Sequence, residues 1–208
     1  MNPKKLLIKV CGLTRPQDLR GLQDLGVDMT GFIFAAKSPR KITPEAAALM
    51  PQGKNLRVGV FVEQSAEDIL RIMDQAALDL AQLHGAHGPD VCRAVGPERC
   101  VKVFWPAKYP SREAFLEDLK RYADLAKYFL FDAGTSGGGH GKSMDFNLVA
   151  NLESPRPWLL AGGLGPDNIK DALTQTTPDG LDLNSALELS PGVKDFEKAR
   201  KAFEIARG

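Results

Sequence analysis

The sequence is short of several things that would mark common protein classes. It has no excess of charge of either sign. Lys and Arg number 27 against 26 Asp and Glu, which leaves a formal net charge of +1. That balance argues against a nucleic-acid binder working through bulk electrostatics and against an acidic disordered chain. No apolar run approaches the ~18 residues of a membrane-spanning helix. The first nine residues contain a short apolar patch broken by Lys9, with neither a signal-peptide core nor a small-residue cleavage site. Cysteine is scarce. Cys11, Cys92 and Cys100 are an odd number at no metal-like spacing, and they read as reduced cytosolic thiols. No Pro/Ser-rich linker divides the 208 residues. The expectation is a soluble cytoplasmic protein of one domain, residues 1–208, with no obvious metal site.

The dominant pattern is an alternation. Short apolar, β-favouring runs occur at Leu6 to Val10, Met29 to Phe34, Leu56 to Val62, Leu78 to Leu83, Cys100 to Trp105, Tyr128 to Phe131, Trp158 to Ala161 and Leu181 to Asn184. Several are almost continuously apolar, as strands of a parallel sheet buried on both faces are. The segments between them have helical periodicity. Ile69, Ile72, Met73 and Ala76 fall on one face, as do Phe115, Leu119 and Tyr122, and Phe196, Ala199 and Phe203. Ser65 with Asp68, and Thr43 with Pro44 and Glu45, carry helix-start signals. The helices after the sixth and seventh strands look short.

Eight βα units in about 200 residues fit a compact (β/α)8 TIM barrel near the small end of that fold's range. An open doubly wound sheet is the alternative. It would place a G-x-G-x-x-G fingerprint after the first strand, where Val10-Cys11-Gly12-Leu13-Thr14-Arg15 stands instead.

In a barrel, chemistry gathers at the C-terminal strand ends. Polar or reactive groups lie at those places here: Cys11 after strand one, Arg40 in the loop after strand two, His84 after strand four and Asp132 after strand six. Strand eight carries Asp182, Asn184 and Ser185. Glycines cluster after strand six (Gly137 to Gly141) and after strand seven (Gly162, Gly163 and Gly165). There backbone N–H groups could approach a phosphate closely, the usual use of these loops in barrels. Each residue also has a plainer reading. Cys11 could be a small core residue, Asp132 a helix cap, Arg40 a solvated surface charge, His84 a packed histidine and Asp182 buried structure.

Taken in order, Lys9-Val10-Cys11-Gly12-Leu13-Thr14, Gly31-Phe32-Ile33-Phe34 with Ser38-Pro39-Arg40, Gln82-Leu83-His84-Gly85, Leu130-Phe131-Asp132, Gly138 to Gly141, Leu160-Ala161-Gly162-Gly163-Leu164, and Gly180 to Glu188 with Pro191-Gly192 closely resemble the phosphoribosylanthranilate isomerase family of tryptophan biosynthesis. The resemblance spans nearly the whole chain. It implies a (β/α)8 barrel that converts N-(5-phosphoribosyl)anthranilate to 1-(2-carboxyphenylamino)-1-deoxyribulose 5-phosphate by an Amadori rearrangement, with no metal or organic cofactor. It implies Cys11 as general base and Asp132 as general acid. Arg40 would hold the anthranilate carboxylate, a role suited to a planar bidentate donor. His84 would line the sugar or anthranilate pocket, and Asp182 would meet sugar hydroxyls. Gly139, Gly141, Gly162, Gly163, Asn184 and Ser185 would bind phosphate. The partner is then a small phosphorylated substrate rather than nucleic acid or membrane, and the assembly a monomer or homodimer. Two positions depart from the family pattern: His140 replaces a small hydroxyl residue, and Ala186 stands where glycine is common, so its methyl could crowd the phosphate cradle.

The chemistry makes opposite demands on the two central groups. A free thiol with pKa about 8.5 is only slightly ionised at neutral pH. Cys11 therefore needs a depressed pKa or must react through its minor thiolate fraction. A free Asp with pKa about 3.9 arrives ionised. To hold a proton, Asp132 needs desolvation by neighbours such as Phe129 and Phe131, or a nearby negative charge on the substrate. The histidine-pathway sugar isomerase family is the nearest rival. Its members carry an aspartate at the end of strand one and grip two phosphates, whereas Cys11 stands here and the first half lacks a second glycine-rich loop. A non-catalytic phosphate-binding barrel and an aldolase-type barrel are more distant. Cys11 and Asp132 are both retained, and no Schiff-base lysine stands out at strand six.

Overall fold

The computed structural model describes residues 5–132 and 146–208. Eight parallel strands close into a barrel in chain order: β1 Leu7–Val10, β2 Met29–Ile33, β3 Leu56–Phe61, β4 Leu80–Leu83, β5 Cys100–Phe104, β6 Tyr128–Asp132, β7 Trp158–Ala161 and β8 Gly180–Leu183. The barrel shuts where β1 pairs with β8, in a register that sets Lys9 beside Asp182. Helices cover the outside: α1 Pro16–Asp24, α2 Pro44–Ala48, α3 Ala66–Gln75, α4 Pro89–Val95, α5 Arg112–Tyr122, α6 Ile169–Gln175 and α7 Phe196–Arg207. After β6 the described residues contain only a 3-10 turn, Phe146–Leu148, and α6 has seven residues. The length of α6 agrees with the short helix expected after β7.

The helix starts follow the local chemistry. Thr43 Oγ1 accepts from the Ala46 N–H at the head of α2, with Pro44 at the first helical position. Ser65 Oγ accepts from the Asp68 N–H at 3.1 Å and donates to the Asp68 carboxylate at 2.9 Å. One orphan N–H at the start of each of these two helices is thus satisfied locally. The apolar faces read from periodicity are buried on α3 and α5, where Ile69, Ile72, Met73, Phe115, Leu119 and Tyr122 lie against the barrel wall. Phe196 is only partly buried, while Ala199 and Phe203 of the same face are buried.

Strand alternation sorts side chains into two layers. One layer packs inside the barrel and includes Met29, Val58, Leu80, Val101, Val103, Leu130 and Leu159. The other packs between strands and helices and includes Ile8, Phe32, Phe104, Phe129 and Phe131. This parity corrects one expectation. Phe129 and Phe131 flank the inward Leu130 and so point away from Asp132, into the outer layer, where they contact Phe104 and Trp158. They are not the groups that shield the carboxyl.

The fold has one element beyond the eight βα units expected from the sequence. After β8 the chain makes a 3-10 turn, Ser185–Leu187, and then a small antiparallel hairpin, β9 Glu188–Ser190 and β10 Val193–Lys194. Its turn contains Gly192 at φ +81°, and the Thr14 hydroxyl donates to the Gly192 carbonyl at 2.9 Å. The loops after β1 and β8 are thereby joined.

Candidate active site

The inward parity of the strands continues into the mouth of the barrel. Lys9 and Cys11 continue the inward series of β1, Gln82 and His84 that of β4, Trp105 that of β5, Asp132 that of β6, and Asp182 and Asn184 that of β8. Cys11 and Asp132 therefore project into the same mouth. Between their strands lie β7 and β8 on one side and β2 to β5 on the other.

Cys11 is buried, at 5% exposure. Gly31 makes room for it: a Cβ there would stand 2.7 Å from Cys11 Sγ. Below the thiol, Lys9 Nζ donates to Asp182 Oδ1 at 2.8 Å, and both side chains are buried. Burial alone would lower the Lys9 ammonium's pKa, but the Asp182 carboxylate and Cys11 outweigh it and hold Lys9 above its ordinary range. Burial pushes the Cys11 thiol up, and the Asp182 charge adds to the rise against the pull of Lys9 and Lys194. A thiol held in this way would act as a base only through a minor thiolate fraction, here beside two cations.

On the far side, Gln82 Nε2 lies 3.1 Å from His84 Nδ1. An amide N–H can only donate, so Nδ1 accepts and the imidazole proton sits on Nε2. Nε2 lies 3.7 Å from Asp132 Oδ2. The His84 ring packs edge-on against Trp105, with centroids 5.3 Å apart. Burial, with help from nearby lysines, pushes the His84 pKa down to about 4, so the ring is neutral at neutral pH. The Asp132–His84 contact is then a dipole facing a carboxyl group, not an ion pair.

Arg40 is not a solvated surface charge. Its Nε and Nη2 form a two-point contact with the Glu188 carboxylate, with Nη2 2.7 Å from Oε2 and Nε 2.9 Å from both oxygens. Its aliphatic stem crosses Gly12, where a Cβ would meet Arg40 Cδ and Asn184 Oδ1 at 2.7 Å. Lys194 is buried and donates to Glu188 Oε1 at 2.9 Å and to Asn184 Oδ1 at 3.0 Å. Asn184 Oδ1 is therefore committed to Lys194, and the Asn184 carbonyl accepts from the Leu187 N–H.

Gly162 and Gly163 follow β7 with φ of +113° and +73°, and among the described residues no atom beyond its chain neighbours lies within 4 Å of a Cβ placed on Gly163. Asn168 fixes this loop by accepting from the Gly165 N–H and donating to the Gly163 carbonyl. Ala186 packs on Gly165, whose Cβ would lie 2.7 Å from the Ala186 methyl. The extra methyl is thus accommodated by the glycine opposite. Ser185 begins the turn on the adjoining strand end. Gly139, Gly141 and His140 lie outside the described residues. Among the described residues, no group of three or more His, Cys, Asp or Glu side chains is placed to hold a metal ion.

Residues 8–205 match the family described as N-(5′-phosphoribosyl)anthranilate (PRA) isomerase. The chain belongs to this isomerase family. The PRA isomerase of Desulfovibrio desulfuricans is 48% identical over 201 residues, covering 97% of this chain and 95% of the relative. The fold matches the crystal structure of phosphoribosyl anthranilate isomerase from Thermotoga maritima with a TM-score of 0.87, 31% identity, and coverage of 98% and 99% of the two chains. Another PRA isomerase structure, in complex with reduced 1-(o-carboxyphenylamino)-1-deoxyribulose 5-phosphate, superposes with a TM-score of 0.83 at 29% identity, covering 98% and 99%. The closed parallel barrel is thus the PRA isomerase architecture, and the chain is an isomerase of tryptophan biosynthesis.

The structure also adds residues that inspection of the sequence did not select as site residues: Lys9, Gln82, Glu188 and Lys194. A lysine interrupting an apolar strand was the available signal for Lys9. Glu188 and Lys194 are distant from Arg40 in sequence and left none.

Proposed function

We propose that the chain performs the Amadori rearrangement of N-(5-phosphoribosyl)anthranilate, with Asp132 as general acid and Cys11 as general base. The observation that carries this reading is that Cys11 and Asp132 face one mouth from separated strands. A sugar held between them would meet an acid on one side and a base on the other. Asp132 delivers a proton to the furanose ring oxygen as the C1′–O bond breaks, leaving a protonated imine. The Cys11 thiolate removes the proton from C2′, and the electron pair moves to give an enolamine. The C2′ hydroxyl then loses a proton while C1′ gains one, giving the aminoketose and restoring the proton count.

The remaining residues serve binding. Arg40 takes the anthranilate carboxylate, His84 lines the pocket beside Asp132, and Asp182 meets a sugar hydroxyl while it anchors Lys9. Backbone N–H groups at Gly162, Gly163, Asn184 and Ser185, with Gly139 and Gly141 from the loop after β6, hold the phosphate. With a net charge of only +1, attraction of the anionic substrate falls to these local groups. The enzyme acts as one barrel domain over residues 1–208, in the cytoplasm, as a monomer or homodimer. No helix among the described residues is long and apolar enough to cross a membrane, and the three cysteines are free and buried.

The test is turnover of phosphoribosylanthranilate beside the histidine-pathway aminoaldose. Rapid conversion of the first alone supports the reading. No activity on the first, or equal activity on both, overturns it.

A further inference from the structure

The contact between Arg40 and Glu188 poses a problem for a substrate-binding arginine. A carboxylate already spans one edge of the guanidinium, and a −1 charge so close would cancel the +1 that a ligand should feel. The surroundings of Glu188 resolve this. Lys194 Nζ has three neighbours in hydrogen-bond range, Glu188 Oε1 at 2.9 Å, Asn184 Oδ1 at 3.0 Å and the Asn184 carbonyl at 3.3 Å. All three are acceptors, which matches the three donors of an ammonium group. The cluster Arg40, Glu188 and Lys194 therefore carries +1 overall. Glu188 is also tied down by its own hairpin, since the Gly192 N–H donates to Oε1 at 3.2 Å. Its side chain is 4% exposed, against 15% for Arg40. The carboxylate is the fixed member and the arginine the one that reaches toward solvent. Glu188 uses Nε and one N–H of Nη2, which leaves Nη1 and the second Nη2 hydrogen as a donor pair for a carboxylate ligand.

We propose that Glu188, neutralised by Lys194, is a positioning and specificity-determining residue. It holds Arg40 in one orientation, so that the enzyme selects substrates whose aromatic amine bears a neighbouring carboxylate. This rests on the assignment of Arg40 to the anthranilate carboxylate. It adds that the β9–β10 hairpin, beyond the last barrel strand, sets the preference. An unsupported arginine on a loop would spend binding energy on its own ordering, whereas one held by a two-point contact does not.

The experiment compares two ligands on wild type, Glu188→Gln and Lys194→Met. One is the reduced product analogue that carries the ring carboxylate, and the other is its counterpart without that carboxylate. Calorimetry gives both Kd values, and kcat/KM for phosphoribosylanthranilate and for the corresponding aniline substrate gives the discrimination in turnover. Wild type is expected to prefer the carboxylated member of each pair. Each variant is expected to lower that preference by about tenfold, chiefly through Kd and KM rather than kcat. A purely structural role would weaken both ligands alike and leave the ratio where it was, and that result would overturn the proposal. Glu188→Asp keeps the charge on a shorter arm. Retention of more of the preference than Glu188→Gln is expected, and equal loss in a folded Glu188→Asp would count against the proposal. Should wild type fail to turn over phosphoribosylanthranilate, the functional reading falls, while the calorimetric ratio still judges Glu188.

Discussion

Lys9 and Asp182 meet across the seam where the barrel closes. They are register partners on β1 and β8, joined by a 2.8 Å contact between buried groups. The pair lies beneath Cys11, so one contact serves both the closure of the sheet and the electrostatics of the proposed base. Lys9→Met leaves the Asp182 carboxylate buried without its cation. Loss of one partner of a buried pair typically costs about 3–5 kcal/mol. The variant is expected to be destabilised by that order in urea titrations, with its Cys11 thiol titrating higher than in wild type. An unchanged thiol titration would show that Lys9 does not act on Cys11.

Removal of either proposed proton-transfer group should act on the chemical step. General acid–base groups contribute roughly 10²- to 10⁴-fold. Cys11→Ser and Asp132→Asn are each expected to lower kcat on that scale with a smaller change in KM. Steady-state kinetics on phosphoribosylanthranilate decide this, and a near-normal kcat in either variant would remove that residue from its role.

The burial that raises the Cys11 pKa has a signed consequence. Below its pKa, the thiolate fraction of a thiol rises about tenfold per pH unit. Alkylation of Cys11, followed by peptide mass spectrometry in the ligand-free protein, should therefore still be accelerating above pH ~8.5, where a free thiol is half ionised. A plateau near neutral pH would mean that the site stabilises the thiolate, contrary to the geometry.

His84 makes the fold acid-sensitive. Its pKa is pushed down to about 4 in the folded state, against ~6.5 in an unfolded chain. Between those values the unfolded chain binds the proton and the folded one does not, so this contribution to stability shrinks as pH falls from about 6.5 toward 4. Carboxylates titrate in part of the same range, so the telling quantity is the difference between wild type and His84→Asn. The gap in unfolding free energy should change as pH falls through that window, with wild type losing the more. A constant gap would contradict the placement of a neutral, desolvated ring.

A good deal of this was legible in the sequence. Eight apolar runs separated by amphipathic segments sufficed for the barrel, because strands buried on both faces carry that signature and helices between them need only one apolar face. Strand ends such as Gly180–Leu183 and Leu80–Leu83 moved by one or two residues, since terminal pairing depends on the neighbouring strand. Cys11, His84 and Asp132 stood out because each lies where an apolar run stops, Asp182 because it interrupts one, and Arg40 because it lies in the loop after β2.

What the sequence determined by itself is the class of each residue and its position along a strand: barrel, strand ends, glycine-rich loops and a chain with no strong overall field. Tertiary structure decided which of those groups touch. It turned Phe129 and Phe131 outward, because alternation about Leu130 allows nothing else. It brought Glu188 and Lys194 to Arg40 from across the molecule, and Asp182 to Lys9. It also raised the Cys11 pKa, since burial and a nearby carboxylate outweigh two cations. Ionisation and pairing depend on distance and solvent exclusion, and these arise only once the strands are assembled, as at the β1–β8 seam.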